Sequence, residues 1–461
     1  MDKISRRNFI KLTGGAATAA GLGVTGLVTA TSGCKAQTNS GDAAKEMKAV
    51  TPTHPSIETM AALPKAQGQR VVVVGGGWSG LTMAKYIKKD APELDVVLVE
   101  KNATFMSCPI SNLWLVGLVD LEFLTHSYLD AALHSNYLFF NATVVDLDRE
   151  SRKLYTDQGS INYDFLVLAP GIDYNYEAIG VSDPADQFAL HTTYPAGFMP
   201  GSEHVSIRNK LEDFEGGEFL LTVPGGNYRC LPGPYERACL VAAYFKKEKI
   251  KGKVILLDAN PDVTIKKDGF HAAFDELYKG ILDYQTSFEI TGVDVGNKVV
   301  KSEFGEVNFV DAAIYPKVRA SRLIETLGLV NPKSNQMEAN IDPLHYNVIG
   351  DERVFVAGDA RPMPFSKSGN TANSEAKIVA NIVVARAKGQ PTPEWVSPNT
   401  ICFSVVNSDP MEAISVDAHY AYDPEKKSFA FDKVKMFEKR DAARGAATLD
   451  WAKGLYRDIF A

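Results

Sequence analysis

The stretch from Arg70 to Glu100 constrains this chain more than any other. Arg70–Val74 is a continuous run rich in β-branched residues, the pattern of a strand buried on both faces. Gly75-Gly76-Gly77-Trp78-Ser79-Gly80 follows, and residues 81–89 then show the apolar period of a helix. A second strand, residues 95–99, runs into Glu100, 20 residues past Gly80. Strand, Gly-x-Gly-x-x-Gly, helix, strand and acid, in that order, make a dinucleotide site. Gly75, Gly77 and Gly80 allow a tight turn and close approach to a pyrophosphate. The helix N-terminus attracts its charge, and Glu100 accepts hydrogen bonds from ribose hydroxyls.

Later segments point to FAD. Residues 163–169 read as another buried strand, closed by Pro170-Gly171. Residues 354–360 read as a strand ending in Gly358-Asp359, a pair that recurs where an aspartate holds the ribityl chain of FAD. Lys367-Ser368-Gly369-Asn370-Thr371-Ala372-Asn373 then opens a helix running to about Ala387. Its first amides face the flavin O2/N1 edge and favour negative charge there. With Lys101, Val144 and Ala169, the residues Gly358, Asp359, Lys367, Ser368, Gly369 and Asn373 complete the expected cofactor set.

The fold class is therefore α/β, with two Rossmann-like domains and a C-terminal α+β interface domain. The FAD-binding domain is discontinuous, over residues 67–182 and 310–393. The insertion, residues 183–309, has the skeleton of a second nucleotide-binding domain. Its first turn, however, is Pro224-Gly225-Gly226-Asn227-Tyr228-Arg229-Cys230-Leu231-Pro232. Prolines and bulky side chains stand where a pyrophosphate lies, so NAD(P)H is not expected to bind. Residues 394–461 form the interface domain, with strand-like segments at 400–406 and 413–418. It closes in a helix carrying Trp451, Leu455, Tyr456, Ile459 and Phe460, apolar content that reads as core or partner contact.

Residues 1–34 read as an address. Ser5-Arg6-Arg7-Asn8-Phe9 is a twin-arginine pattern, and a small-residue apolar run follows. Such leaders export folded proteins, often with a cofactor already bound, so the expected location is periplasmic. Cys34 closes a degenerate lipobox and is a possible lipid anchor, and residues 35–66 read as a linker. The chain carries a formal net charge of −7. Its leader is basic, so the remainder is more acidic still, which excludes nucleic acid as a partner. The five cysteines, Cys34, Cys108, Cys230, Cys239 and Cys402, form no metal-type cluster, and no metal is expected.

The residues resemble a family at this point. Arg229-Cys230-x-Pro232-Gly233-Pro234-Tyr235-Glu236-Arg237, Ser107-Cys108-x-x-Ser111-Asn112, Lys367-Ser368-Gly369-x-x-Ala372-Asn373-Ser374 and the twin-arginine leader are similar to the flavoprotein subunit of flavocytochrome c sulfide dehydrogenase. More distantly, the chain resembles sulfide:quinone oxidoreductases and the glutathione-reductase fold. The resemblance runs from about Arg70 to the C-terminus. It implies that Cys108 bonds to the flavin 8α-methyl group and that Cys230 forms a redox disulfide attacked by sulfide. It also implies that Glu236 is the base and that electrons pass singly to a haem subunit.

One part of the pattern is missing. The second redox cysteine belongs near residues 336–342, and Gln336-Met337-Glu338-Ala339-Asn340-Ile341-Asp342 contains no thiol. No replacement is expected. Cys239 lies two turns into the helix that Cys230 precedes, beyond disulfide reach. Cys402 belongs to the C-terminal part, and Cys108 is assigned to the flavin. The leading expectation is an exported FAD oxidoreductase acting on sulfide or a small sulfur compound, with a c-type cytochrome subunit or soluble electron acceptor as partner. A flavoprotein with a non-sulfur substrate, using the 337–342 segment, and a non-catalytic electron-transfer subunit remain open. Arg319 matches a family position but also reads as a structural ion pair.

Overall fold

The buried run forms β1 (Arg70–Val74), in which every residue is buried. The glycine turn leads into α1 (Trp78–Asp90), then β2 (Asp95–Glu100), β3 (Leu138–Asn141) and β4 (Phe165–Leu168). A second α/β unit follows: β5 (Gly216–Val223), α2 (Gly233–Glu248), β6 (Lys251–Asp258), β7 (Leu282–Gln285) and β8 (Asp311–Ala313). The chain returns to the first unit with β9 (Val354–Val356) and α3 (Gly369–Ala387). It ends in three long strands, β10 (Asn399–Ser408), β11 (Met411–Asp423) and β12 (Ser428–Asp441), and α4 (Ala442–Phe460). This computed structural model describes residues 59–461. The twin-arginine signal, Cys34 and most of the 35–66 linker lie outside the described residues.

The first sheet has the order β9-β4-β1-β2-β3, and every pairing is parallel. The second has the order β7-β6-β5-β8, again parallel throughout. In both, the first strand lies where the strand order reverses. That switch point opens a crevice at the carboxyl ends of the strands, where ligands of such sheets bind. The two critical turns, after β1 and after β5, stand at these two crevices. The last sheet is antiparallel, β10-β11-β12.

The C-terminal helix is part of the first unit's wall. Tyr456 stacks on Trp78 with ring centroids 5.6 Å apart, and Phe460 stacks on His126 at 4.4 Å. Asp458 accepts hydrogen bonds from Tyr86 at 2.7 Å and Asn373 at 2.9 Å and pairs with Lys377. Burial of such aromatic side chains contributes roughly 1.5–3 kcal/mol each. Tyr456 and Ile459 are core, and Phe460 packs against it.

Candidate active site

The glycine turn after β1 is fixed by steric demand. Gly75 has φ +99°, and a Cβ there would lie 2.4 Å from the Ala169 carbonyl oxygen. A Cβ on Gly80 would lie 1.8 Å from the Gly75 carbonyl oxygen, so helix and strand touch only because it is absent. The Gly76 amide donates to Glu100 Oε2 at 2.7 Å, and the Asn102 amide donates to Oε1 at 2.8 Å. Glu100 thus braces the turn and lines the cavity beside it.

A cavity of about 320 Å³ runs from this turn to the start of α3. Of the expected cofactor residues, Gly75, Gly77, Glu100, Lys101, Cys108, Ala169, Gly358, Asp359, Ser368 and Gly369 line it. Four do not. Gly80 packs against Gly75 behind the turn. Val144 pairs with Thr156 in a separate antiparallel sheet. The Lys367 ammonium is turned inward, 2.7 Å from Glu338 Oε1 and 2.8 Å from the Asp359 carbonyl oxygen. Asn373 donates to Thr82 and Asp458. The last two are anchors for the loop and helix that border the cavity. Arg319 pairs with Glu325 at 2.6 Å and does not line it.

The lining suits FAD. A Cβ on Gly77 would meet nothing within 4 Å, so the turn is open on its cavity side. Trp78 Nε1 and Ser79 Oγ, in the first turn of α1, are buried with no hydrogen-bond partner among the described residues. Unsatisfied buried donors beside a helix N-terminus match a pyrophosphate. At the far end Ser368 Oγ caps α3 by accepting from the Thr371 amide, and Asp359 lies 3.4 Å from Arg229 Nε.

A smaller pocket, about 50 Å³, joins this end of the cavity. The two share Cys108, Arg229, Ser368 and Gly369, and the smaller one adds Cys230, Glu236, Arg237 and Cys402. Cys230 occupies a left-handed backbone position, φ 60°. Its amide donates to the Lys367 carbonyl at 2.8 Å and its carbonyl accepts from the Gly233 amide at 2.8 Å. A Cβ on Gly233 would lie 2.8 Å from Cys230 Sγ, so Gly233 leaves room for the sulfur.

Glu236, at the start of α2, lines the same pocket and bridges three elements. Its Oε2 accepts from Asn112 Nδ2 and its Oε1 from the Val405 amide, each at 2.8 Å. Burial pushes its carboxyl group up, against these two hydrogen bonds. Burial also pushes the Cys230 thiol well up, reinforced by Cys402, Cys108 and Glu236 and opposed by Lys266. The Cys108 thiol is raised by burial while Arg229 and Arg237 pull it down. Asn112 is held in place by Arg237, whose Nε donates to its Oδ1 at 2.9 Å.

Two expectations about this pocket are corrected. Cys402 does not stand apart from Cys230: β10 crosses α2 and brings both to one wall. The 337–342 segment lines neither cavity. Its Glu338 is consumed by Lys367 and Ser334. Sequence reasoning also missed Arg229, Asn112, Arg237 and Lys266 as site residues. Arg229 and Arg237 flank the quoted Cys-Pro-Gly-Pro motif, so a signal was present there. Lys266 had none.

The second turn, after β5, is plugged. Tyr228 is fully buried, and its hydroxyl donates to the Leu231 carbonyl at 3.0 Å. Asp258, at the end of β6, holds the position of a ribose-binding acid. Its Oδ2 accepts from Tyr235 at 2.7 Å and Tyr284 at 2.8 Å, and its Oδ1 accepts from Asn260.

Residues 69–192 match the pyridine nucleotide-disulphide oxidoreductase model. Residues 205–315 match the central region of the sulfide dehydrogenase (flavocytochrome c) flavoprotein chain, and residues 3–23 match the twin-arginine translocation signal. The chain is 27% identical to the mitochondrial sulfide:quinone oxidoreductase of Mus musculus over 193 residues, 41% of this chain and 42% of that one. It is 24% identical to a type II NADH:quinone oxidoreductase of Staphylococcus saprophyticus, over 84% of this chain and 99% of that one. The sulfide:quinone oxidoreductase structure from Aquifex aeolicus superposes with a TM-score of 0.69 at 16% identity, covering 85% of this chain and 91% of that one. Fold, cavity and matches define an FAD-dependent oxidoreductase of the pyridine nucleotide-disulphide oxidoreductase class. Within that class, its central region is similar to the flavocytochrome c sulfide dehydrogenase flavoprotein chain, and its N-terminus matches an export signal.

Proposed function

We propose that this enzyme oxidises sulfide or a related reduced sulfur compound at Cys230 and passes the electrons, through FAD, to a c-type cytochrome in the periplasm. One observation carries the reading. Cys230 lines a small pocket that shares Cys108, Arg229, Ser368 and Gly369 with the flavin end of the cofactor cavity. A sulfur anion that enters this pocket meets Arg229 and Arg237 as counter-charges and Cys230 as the nucleophile or its target. Glu236 is within the same wall to take the thiol proton. FAD, when bound, supplies a two-electron acceptor that releases electrons singly. Cys108, where the two cavities meet, is the residue we assign to a covalent bond with the flavin. Among the described residues no helix is long and apolar enough to cross a membrane. A lipid anchor at Cys34 is a further proposal.

NADH stands against this reading as reductant, because a type II NADH:quinone oxidoreductase is among the relatives. The plugged second turn, with Asp258 already holding three side chains, favours sulfide. The test is a pair of measurements on the purified holoenzyme. Denaturation should leave the flavin with the polypeptide, and Cys108→Ser should release it. Anaerobic sulfide should bleach the flavin, with the rate falling at least ~100-fold in Cys230→Ser, while NADH should not bleach it. Bleaching by NADH and not by sulfide overturns the reading.

A further inference from the structure

Cys402 reaches the pocket because β10 is tied down on both sides. Val405 donates its amide to Glu236, Ile401 donates its amide to Asn370 Oδ1 at 2.7 Å, and the Thr400 and Thr371 hydroxyls meet at 2.7 Å. Cys230 and Cys402 then line two cavities together: the pocket already described and a tight one of about 20 Å³ beneath it. Both are free thiols.

Lys266 supplies an independent observation. It is fully buried. Its ammonium lies 2.6 Å from Ser404 Oγ and 3.9 Å from Cys402 Sγ, two positions apart on the same strand. No carboxylate of the described residues forms an ion pair with it. A buried ammonium needs a counter-charge; Glu236 acts on it through space, and the thiol within its hydrogen-bonding reach is Cys402. Lys266 opposes the upward push of burial on the Cys402 thiol, while Glu236 adds to that push.

We propose that Cys402 is the second redox thiol of this enzyme: it forms a dithiol/disulfide pair with Cys230, and Lys266 is the positioning residue that holds Cys402 as the leaving thiolate. The reacting ligand class is the hydrosulfide anion and its persulfides. In the oxidised pair, HS⁻ attacks Cys230 Sγ. The S–S bond breaks, Cys230 becomes a persulfide, and the Cys402 thiolate departs beside Lys266. A second HS⁻ takes the outer sulfur as HS₂⁻ and leaves the Cys230 thiol. The two cysteines then re-form their disulfide, passing two electrons to the flavin and one proton to Glu236. The net change is two HS⁻ to HS₂⁻, one proton and two electrons. The assignment rests on the sulfur-oxidising reading above, so its test separates the two.

The experiment treats the holoenzyme with diamide, blocks remaining thiols with N-ethylmaleimide and maps the peptides by mass spectrometry. A peptide linking Cys230 to Cys402 is expected, and it should vanish in both Cys402→Ser and Cys402→Ala with flavin content unchanged. Lys266→Met should slow iodoacetamide alkylation of Cys402 in the reduced enzyme at pH 7 about tenfold, the effect of one unit in thiol pKa. A Cys230–Cys108 link, or Cys230 and Cys402 both alkylated after diamide, overturns the pair. Sulfide bleaching is then compared. If wild type and both Cys402 variants bleach at equal rates, the pair falls and the sulfur reading stands. If the linked peptide forms and sulfide bleaches nothing, the sulfur reading falls and the pair stands.

Discussion

The turns after β1 and β5 occupy the same place in two sheets of the same design, and they have been put to opposite uses. After β1 the backbone is stripped to glycine, the helix start is open, and buried donors face a cavity. After β5 the crevice is filled by Tyr228 and Tyr235, the acid at the end of the next strand is satisfied by the protein's own hydroxyls, and the turn presents a cysteine. A parallel sheet with a switch point supplies a crevice in either case. What fills it depends on whether side chains beyond the strand leave room for a ligand or occupy that room themselves.

The sharpest way to break this contrast is to add one methyl group to each turn. In Gly80→Ala the new Cβ meets backbone at 1.8 Å, whereas in Gly225→Ala it meets only the Ala259 methyl at 3.7 Å. The first substitution should cost more than ~3 kcal/mol and yield protein without flavin. The second should change stability by no more than about 0.5 kcal/mol. Denaturant unfolding and the visible flavin spectrum check both. Equal effects at the two sites would show that the second turn is as sterically committed as the first.

A smaller effect tests whether the tyrosine plug is structural. Tyr235→Phe removes one of two hydroxyls from Asp258 Oδ2. The loss should be about 1–2 kcal/mol, seen as a lower urea midpoint at unchanged slope, with the flavin spectrum unaltered. A shifted flavin spectrum would mean that the second crevice communicates with the first, and the division between them would fail.

The two turns were not equally readable in the sequence. The first was legible because its requirements are local: Gly75, Gly77 and Glu100 lie within one βαβ unit, and steric exclusion leaves few alternatives. The blocked character of the second turn could also be read, since prolines and a tyrosine occupy the motif itself. Lys367 and Asn373 were assigned to the cofactor because they flank its helix start. Their side chains instead bond Glu338 and Asp458, and a motif does not report which way a side chain turns. Cys402 was out of reach for a different reason. Its meeting with Cys230 spans 172 positions of the chain and depends on β10 docking across α2. That docking rests on Glu236, Asn370 and Thr371, each of which reads locally as an ordinary helix-start residue. The strand-like segments at 400–406 and 413–418 became much longer strands, and β12 went unread because most of its residues are exposed and polar or charged positions interrupt its apolar ones.

Glu236 belongs to the second turn's helix yet serves the first unit's pocket, and its titration gives the smallest of the expected effects. Burial raises its folded-state pKa above the unfolded value. The folded protein therefore holds a proton that the unfolded chain releases. That difference favours folding fully below the unfolded carboxylate pKa of about 4.3 and is lost as pH rises through the folded value. Wild type should lose stability with rising pH across this window. Glu236→Gln keeps an oxygen for one of the two hydrogen bonds and cannot ionise, so its stability should fall less between pH 5 and pH 8 than that of wild type. Burial raises the Asp258 pKa as well, so the variant retains that residue's share of the slope. Urea unfolding at the two pH values reads the difference. Parallel curves for wild type and variant would show that Glu236 is ionised throughout, which would keep it as a hydrogen-bonded brace for β10 and remove the raised basicity that suits it to accept a proton from Cys230.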